Sequence, residues 1–529
     1  MAVQGRLRWL RWVRYLGLAL AASFVAVAPA VPAAASDSTV VRTANGLVRG
    51  TAGSGFRSFL GIPFAAPPVG SLRFRAPQPA ASWSGVRDAT QFGSPCPQAA
   101  GVFAPNGQGS TNEDCLFLNV FTPSHAGFAR PVLFWIHGGG FVAGSASQYD
   151  ASVLAAKSGA VVVTINYRLG PIGFLALPGL SAETRDGSAG NYGLEDQQAA
   201  LRWVRENVAR FGGNPFDVTI FGESAGGLSV CDQLISPRVA HLFQRAITES
   251  GPCAAPQATL PQAEAQSQAA AARAGCADPA TQVACVRALP VAALLASGGT
   301  SGPNVDGAVL PEQVPAAITG GRFNRVPVME GTNHDEDRLF VALQFDLAGR
   351  PVTAAQYPAL VQGLAGANAP AVLARYPLSA FANPSEAWAA VVTDARFACG
   401  ALLADSLLAA HVPTFAYEFN DRSAPEFIVT DPVMPLGAFH ASEIPFVFQP
   451  NATITPTFFT PAELALSDQM IRYWATFAAF GTPNRPGSPL WRRFTTAGGR
   501  FQSLAPAATT SIDTFATDHN CAFWASLAA

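Results

Sequence analysis

Gly222-Glu223-Ser224-Ala225-Gly226 sets one serine between two glycines in the order Gly-x-Ser-x-Gly. Such a serine can be the nucleophile of acyl transfer if a strand runs into the motif and a helix leaves it, because the hydroxyl then stands on a sharp turn above a sheet. Both neighbours can be read here. Phe216 to Phe221 reads as a strand, and Leu228 to Ile235 as a helix that stops at Ser236-Pro237. A side chain at Gly222 or Gly226 would collide with the neighbouring strand or helix. The N-terminus of the following helix favours the negative charge that develops in such a reaction. The bland alternative is a serine that only caps the helix; the strand and the glycines weigh against it.

An alkoxide attacking a carbonyl makes an oxyanion, which needs donors. His137-Gly138-Gly139-Gly140-Phe141 follows a strand-like run upstream of Ser224, and sequences of this type supply backbone N–H groups to an oxyanion, together with the residue after the nucleophile, here Ala225. Only glycine lets the backbone approach that closely. A serine also needs a base, usually histidine. Seven are present: His125, His137, His241, His334, His411, His440 and His519. On a strand–turn–helix scaffold the chain order is serine, acid, histidine, which removes His125 and His137. His440 lies in Pro435-Leu436-Gly437-Ala438-Phe439-His440-Ala441-Ser442-Glu443-Ile444-Pro445-Phe446, a glycine-containing loop between a strand (Thr414 to Phe419) and a helix start. His411 ends an Ala/Leu helix and His519 lies near the C-terminus beside Cys521, so both read more easily as surface residues. The acid falls in Gly331-Thr332-Asn333-His334-Asp335-Glu336-Asp337, after the strand Val326 to Met329. Composition does not choose among Asp335, Glu336 and Asp337.

The elements that must hold these groups follow an α/β pattern. Val132 to Ile136 and Ala160 to Tyr167 are apolar runs of strand length, as in parallel strands covered on both faces. Residues 194–210 carry apolar positions at helical spacing between Asp196, Arg202, Arg205, Glu206 and Arg210. Strand, helix, strand, tight turn, helix is the order of an α/β fold, and the nucleophile turn makes it an α/β-hydrolase fold: a central, mostly parallel sheet flanked by helices. Residues 258–300 and 353–412, rich in Ala and Leu, are expected to be helices lying over it. No linker or repeat interrupts residues 36–529, which read as one domain with long insertions.

The chain has 529 residues and a formal net charge of −2. Residues 1–35 hold Arg6, Arg8, Arg11 and Arg14 and no acid, which leaves −6 on the remainder. That balance argues against nucleic acid or an anionic membrane as the main partner. The arginines precede an apolar stretch from Leu16 to Val31 and then Ala33-Ala34-Ala35, the order of a secretory signal peptide cleaved near Ala35. The apolar part is short for a span of about 20 residues, so the expectation is a secreted protein without a stable membrane anchor. Eight cysteines fit an oxidising compartment. With no Cys-x-x-Cys pair, a cysteine zinc site is not expected.

Together these residues resemble the type B carboxylesterase family, which includes the cholinesterases, from about Val40 to Trp524. Phe211-Gly212-Gly213-Asn214-Pro215 through Gly226 matches the family's active-site signature, and Glu113-Asp114-Cys115-Leu116-Phe117-Leu118-Asn119-Val120 its second one. Phe59-Leu60-Gly61-Ile62-Pro63, Asn166-Tyr167-Arg168 and Tyr473-Trp474-Ala475-Thr476-Phe477 are similar landmarks. The resemblance implies that the acid is Glu336, although Asp337 stands where the family has Gly. It implies His440 as base, Gly139, Gly140 and Ala225 as oxyanion donors, and Ser250 as a serine behind the triad. It also implies the disulfides Cys96–Cys115, Cys276–Cys285 and Cys399–Cys521, leaving Cys231 and Cys253 to pair with each other, and a structural ion pair Arg73–Glu113. The expected activity is hydrolysis of small-molecule carboxylic esters with no cofactor and no metal. A lipase, a polyester or carbamate hydrolase, or an inactive adhesion-type module are the alternatives on the same fold. Residues 97–114 contain no Trp, so the cation–π seat that cholinesterases use for a quaternary ammonium is missing.

Overall fold

The structure, a computed structural model, describes residues 39–527 apart from 125–126, 300–301, 430–433, 450–458 and 497. The expected signal segment, residues 1–35, lies outside the described residues, as does His125. Eleven strands make the main sheet: β1 (Thr51–Ala52), β2 (Phe56–Pro63), β3 (Phe117–Pro123), β4 (Arg130–Ile136), β5 (Val161–Ile165), β6 (Gly213–Glu223), β7 (Arg245–Glu249), β8 (Val328–Asn333), β9 (Thr414–Phe419), β10 (Phe501–Leu504) and β11 (Thr510–Ile512). Their spatial order is β11-β10-β9-β8-β7-β6-β4-β5-β3-β2-β1. The run from β10 to β5 is parallel, and antiparallel strands close both ends. This is the mostly parallel sheet that the α/β-hydrolase expectation requires.

The near-continuous apolar strands follow from burial on both faces. In β4, Val132, Phe134 and Ile136 pack into one apolar cluster, while Leu133 and Trp135 pack into another. Helix α1 (Tyr192–Asn207) and helix α2 (Ala225–Ile235) bury Leu194, Leu201, Val204, Val230 and Leu234 in the first cluster. Helix α3 (Pro461–Phe480) buries Met470, Trp474 and Phe477 in the second. The Ala/Leu-rich segments are helical, in several short pieces. The run Pro384–Ala409 is long and apolar enough to cross a membrane by composition, with a mean hydropathy of 1.3 over its best window, but half of that window is buried inside the fold.

Adjacent strands are in register so that several chain turns leave from one edge. Ile136 pairs with Gly222, Glu223 with Glu249, and Glu249 with Gly331. The residues that follow β4, β6, β7 and β8 therefore emerge side by side at the carboxyl ends of parallel strands, where open α/β sheets form their sites.

Candidate active site

Ser224 joins β6 to α2 with φ 57° and ψ −123°, a conformation that L-residues avoid. The surroundings hold it there. Its N–H donates to Glu249 O at 2.8 Å, and its carbonyl accepts from Leu228 N–H at 2.9 Å. The glycines are required by contact: a Cβ on Gly226 would lie 2.0 Å from Ile136 O, and one on Gly222 would lie 2.6 Å from the same oxygen. Ser224 is half-buried at the start of α2, and Ala225 is buried beside it.

The glycine loop after β4 folds over the same edge. Gly139 and Gly140 both have positive φ, 98° and 63°, and a Cβ on Gly139 would meet Ala143 O at 2.2 Å. Gln98 brackets Gly144 with two hydrogen bonds of 2.9 Å, and Tyr167 Oη donates to His137 O at 2.8 Å. His137 is buried, and burial lowers its pKa to about 4, so its ring is a neutral brace stacked on Tyr167. Among the described residues, no protein acceptor takes the N–H of Gly139, Gly140 or Ala225. A Cβ on Gly138 would lie 3.0 Å from Ser224 Cβ, which brings this loop against the serine turn.

Of the three candidate acids, the fold brings one to a histidine. Glu336 Oε2 lies 2.6 Å from His440 Nδ1, and both residues are buried. Glu336 Oε1 accepts from Thr332 Oγ1 and Asn333 N–H, each at 2.7 Å. The acid loop and the His440 loop are tied by backbone bonds from Asp335 N–H to Ala438 O and from His440 N–H to Glu336 O. Asp335 faces elsewhere. Burial would raise its carboxyl, but His334, Arg338 and Arg422 outweigh that and hold it at about 2. Asp337 is also buried, and desolvation lifts it to about 7. The rings of Phe340 and Phe397 flank His440 at 4.8 and 5.3 Å.

His440 Nε2 stands 3.1 Å from Glu223 Oε1, the residue just before Ser224. Among the described residues it has no hydrogen-bond partner. Catalytic hydrogen bonds are often long in a ligand-free site and tighten around substrate. Sequence reading passed over Glu223, Glu249 and Glu443, which crowd the same region. All three are buried, and desolvation raises all of them, Glu249 to about 8. Burial thus disfavours the charged form of all three. No sequence signal marks them beyond their place next to Ser224, Ser250 and Ile444. Ser250 has φ 50° and is buried, its N–H donating to Gly331 O at 2.8 Å.

The four sulfur pairs are Cys96–Cys115, Cys231–Cys253, Cys276–Cys285 and Cys399–Cys521. Arg73 Nε donates to Glu113 Oε1 at 2.7 Å. One sequence expectation is corrected. His519 is not at the surface: it is 2% exposed, held between Asp394 and Glu418. His411 is partly buried, its ring meeting Thr319 O and the Phe323 ring.

A sequence model described as "Carboxylesterase family" matches residues 37–524. The chain is 37% identical over 500 residues to the fumonisin B1 esterase of Sphingopyxis macrogoltabida, covering 91% of this chain and 89% of that one. It is 37% identical over 494 residues to a cocaine esterase of Oryctolagus cuniculus (87% and 91%). It is likewise 37% identical over 466 residues to the para-nitrobenzyl esterase of Bacillus subtilis strain 168 (84% and 90%). The chain belongs to the carboxylesterase family and is a carboxylic ester hydrolase.

Proposed function

We propose that this family member is a secreted serine esterase that cleaves small-molecule carboxylic esters through an acyl-enzyme. Ser224 Oγ attacks the ester carbonyl while His440 Nε2 takes its proton. The N–H groups of Gly139, Gly140 and Ala225 hold the oxyanion, each such donor being worth about 3 kcal/mol in the transition state. His440 returns the proton to the leaving alcohol, then activates the water that frees the acid. Glu336 fixes the Nδ1–H tautomer and steadies the imidazolium. Ser250 supports the turn from behind.

The observation that carries this reading is the 2.6 Å Glu336–His440 contact beside the strained turn at Ser224. The three unused N–H groups supply the matching electrophilic side. Export is supported by the four disulfides, which persist in oxidising compartments, and by the order of charged, apolar and small residues before Ala35. The relatives named above are, by their names, a fumonisin B1 esterase, a cocaine esterase and a para-nitrobenzyl esterase. Residues 97–114 contain no Trp, so uncharged alcohol moieties fit better than choline.

The test is hydrolysis of p-nitrophenyl butyrate by the chain lacking residues 1–35, beside Ser224→Ala. A loss of at least ~10³-fold in the folded variant is expected. Equal activity in the variant, or none in the wild type on short and long esters, would overturn the reading.

A further inference from the structure

Beside the loop that carries Glu336 lies a second cluster of ligand-type side chains, which the hydrolytic chemistry does not use. His334 follows β8, Glu418 lies in β9, and His519 ends the short helix Phe515–Asp518. One ligand atom from each lies within 4.8 Å of the other two. Glu418 and His519 are buried, and the His334 side chain is 25% exposed. His519 Nε2 is 2.9 Å from Glu418 Oε1, while its Nδ1 is 2.7 Å from Asp394 Oδ1. Asp394 is itself fixed by Tyr376 Oη at 2.7 Å and Asn520 Nδ2 at 3.2 Å. His334 Nδ1 is buried with only a long approach, 3.4 Å, to Asp335 Oδ1.

We propose that His334, Glu418 and His519 bind one divalent first-row transition cation of the Zn²⁺ type. Two imidazoles and one carboxylate suit Zn²⁺ and its neighbours, whereas Ca²⁺ and Mg²⁺ prefer all-oxygen sites. Two ligand atoms each about 2.0–2.1 Å from a shared metal stand roughly 3 Å apart, which is the separation of His519 Nε2 and Glu418 Oε1. The Asp394 bond to Nδ1 is the carboxylate–histidine support that metal-binding histidines use, since it leaves Nε2 free to coordinate. His334, half-buried, closes the site by a small swing of its ring. A cleft of about 260 Å³ bordered by His334, Tyr376, Asp394 and His519 supplies the way in. Arg338 and Arg422 also border it, but both are engaged by Asp335. Binding is an exchange: the proton shared between Nε2 and Glu418 leaves to solvent, the cation takes its place, and no electron moves. The ion would tie the strand β9 and the C-terminal segment next to Cys521 to His334 at the end of β8, two residues before Glu336. This inference does not depend on which ester is cleaved.

The experiment is titration of the chelator-stripped full chain with ZnCl₂ by calorimetry, with melting followed in parallel. Saturable binding of one Zn²⁺ per chain and a higher melting temperature are expected. His334→Ala, at the least buried ligand, should weaken binding at least ~10-fold, and Asp394→Asn by ~10–100-fold. His334→Gln replaces the alanine variant if that one fails to fold. Wild-type Co²⁺ absorption that Zn²⁺ abolishes is a readout needing no variant. No saturable binding by the folded wild type, or unchanged affinity in a folded His334 variant, overturns the proposal.

Discussion

Glu336→Gln keeps the volume of the side chain and tests the position of one proton. Glu336 Oε2 accepts from His440 Nδ1 at 2.6 Å, and Oε1 accepts from Thr332 Oγ1 and Asn333 N–H at 2.7 Å each. The hydroxyl can rotate, but the backbone N–H of Asn333 cannot stop donating. The glutamine must therefore place its oxygen at the Oε1 position, because the reverse sets its NH₂ against a fixed donor. Its NH₂ then donates to His440 Nδ1, which becomes the acceptor nitrogen and sends the ring proton to Nε2. An imidazole already protonated at Nε2 cannot take the proton of Ser224. The equivalent acid-to-amide change in a serine protease triad costs about 10⁴ in kcat, which is about 5 kcal/mol of activation free energy at 1.36 kcal/mol per tenfold. The loss should fall on kcat, with KM nearly unchanged, because the interaction matters only when charge develops on the ring. The assay is steady-state hydrolysis of p-nitrophenyl butyrate, with circular dichroism to check folding. A folded Glu336→Gln protein within tenfold of wild-type kcat would refute the assignment of Glu336 as the orienting acid.

Three further outcomes follow from the packing. Gly226→Ala puts a Cβ 2.0 Å from Ile136 O; overpacking of this kind costs about 1–3 kcal/mol, so a lower melting temperature and a loss of activity are expected. Glu249 is held protonated up to about 8 by burial, against about 4.3 unfolded. Its contribution to stability is fully present below the unfolded value and is lost as pH rises through the folded one, by roughly 5 kcal/mol at most. Glu249→Gln, which keeps an acceptor for Trp474 Nε1, should make the urea midpoint fall less between pH 5 and 8. An unchanged pH slope would contradict that assignment. Cys399–Cys521 closes a loop of 122 residues, and replacing both cysteines by serine should cost on the order of 4–5 kcal/mol in denaturant unfolding.

The serine turn was legible in the sequence because its demands are local. A strand, a positive-φ residue and glycines that admit no Cβ must follow one another in fixed order, so Ser224 and its neighbours carry their own signature. The glycine loop after β4 was legible for the same reason. The acid was not. Asp335, Glu336 and Asp337 are adjacent and chemically alike, and resemblance to a family, not composition, favoured Glu336. In three dimensions a turn sends them to different surroundings: Asp335 to Arg338 and Arg422, Glu336 to His440, and Asp337 to a buried position near Arg396.

His519 shows where the sequence misleads. A histidine near a chain end looks exposed, yet its partners Asp394 and Glu418 lie 125 and 101 residues away, and no periodicity reports a contact at that range. The same holds for Glu223, Glu249 and Glu443, three carboxyls whose charged form burial disfavours around the site. The sequence by itself determined the order of elements, the serine turn and the glycine positions, because backbone sterics and apolar periodicity act between near neighbours. Only the tertiary structure decided which acid meets which histidine and which carboxyls are stripped of water. Those outcomes depend on desolvation and on distances between strands that the chain brings together from far apart.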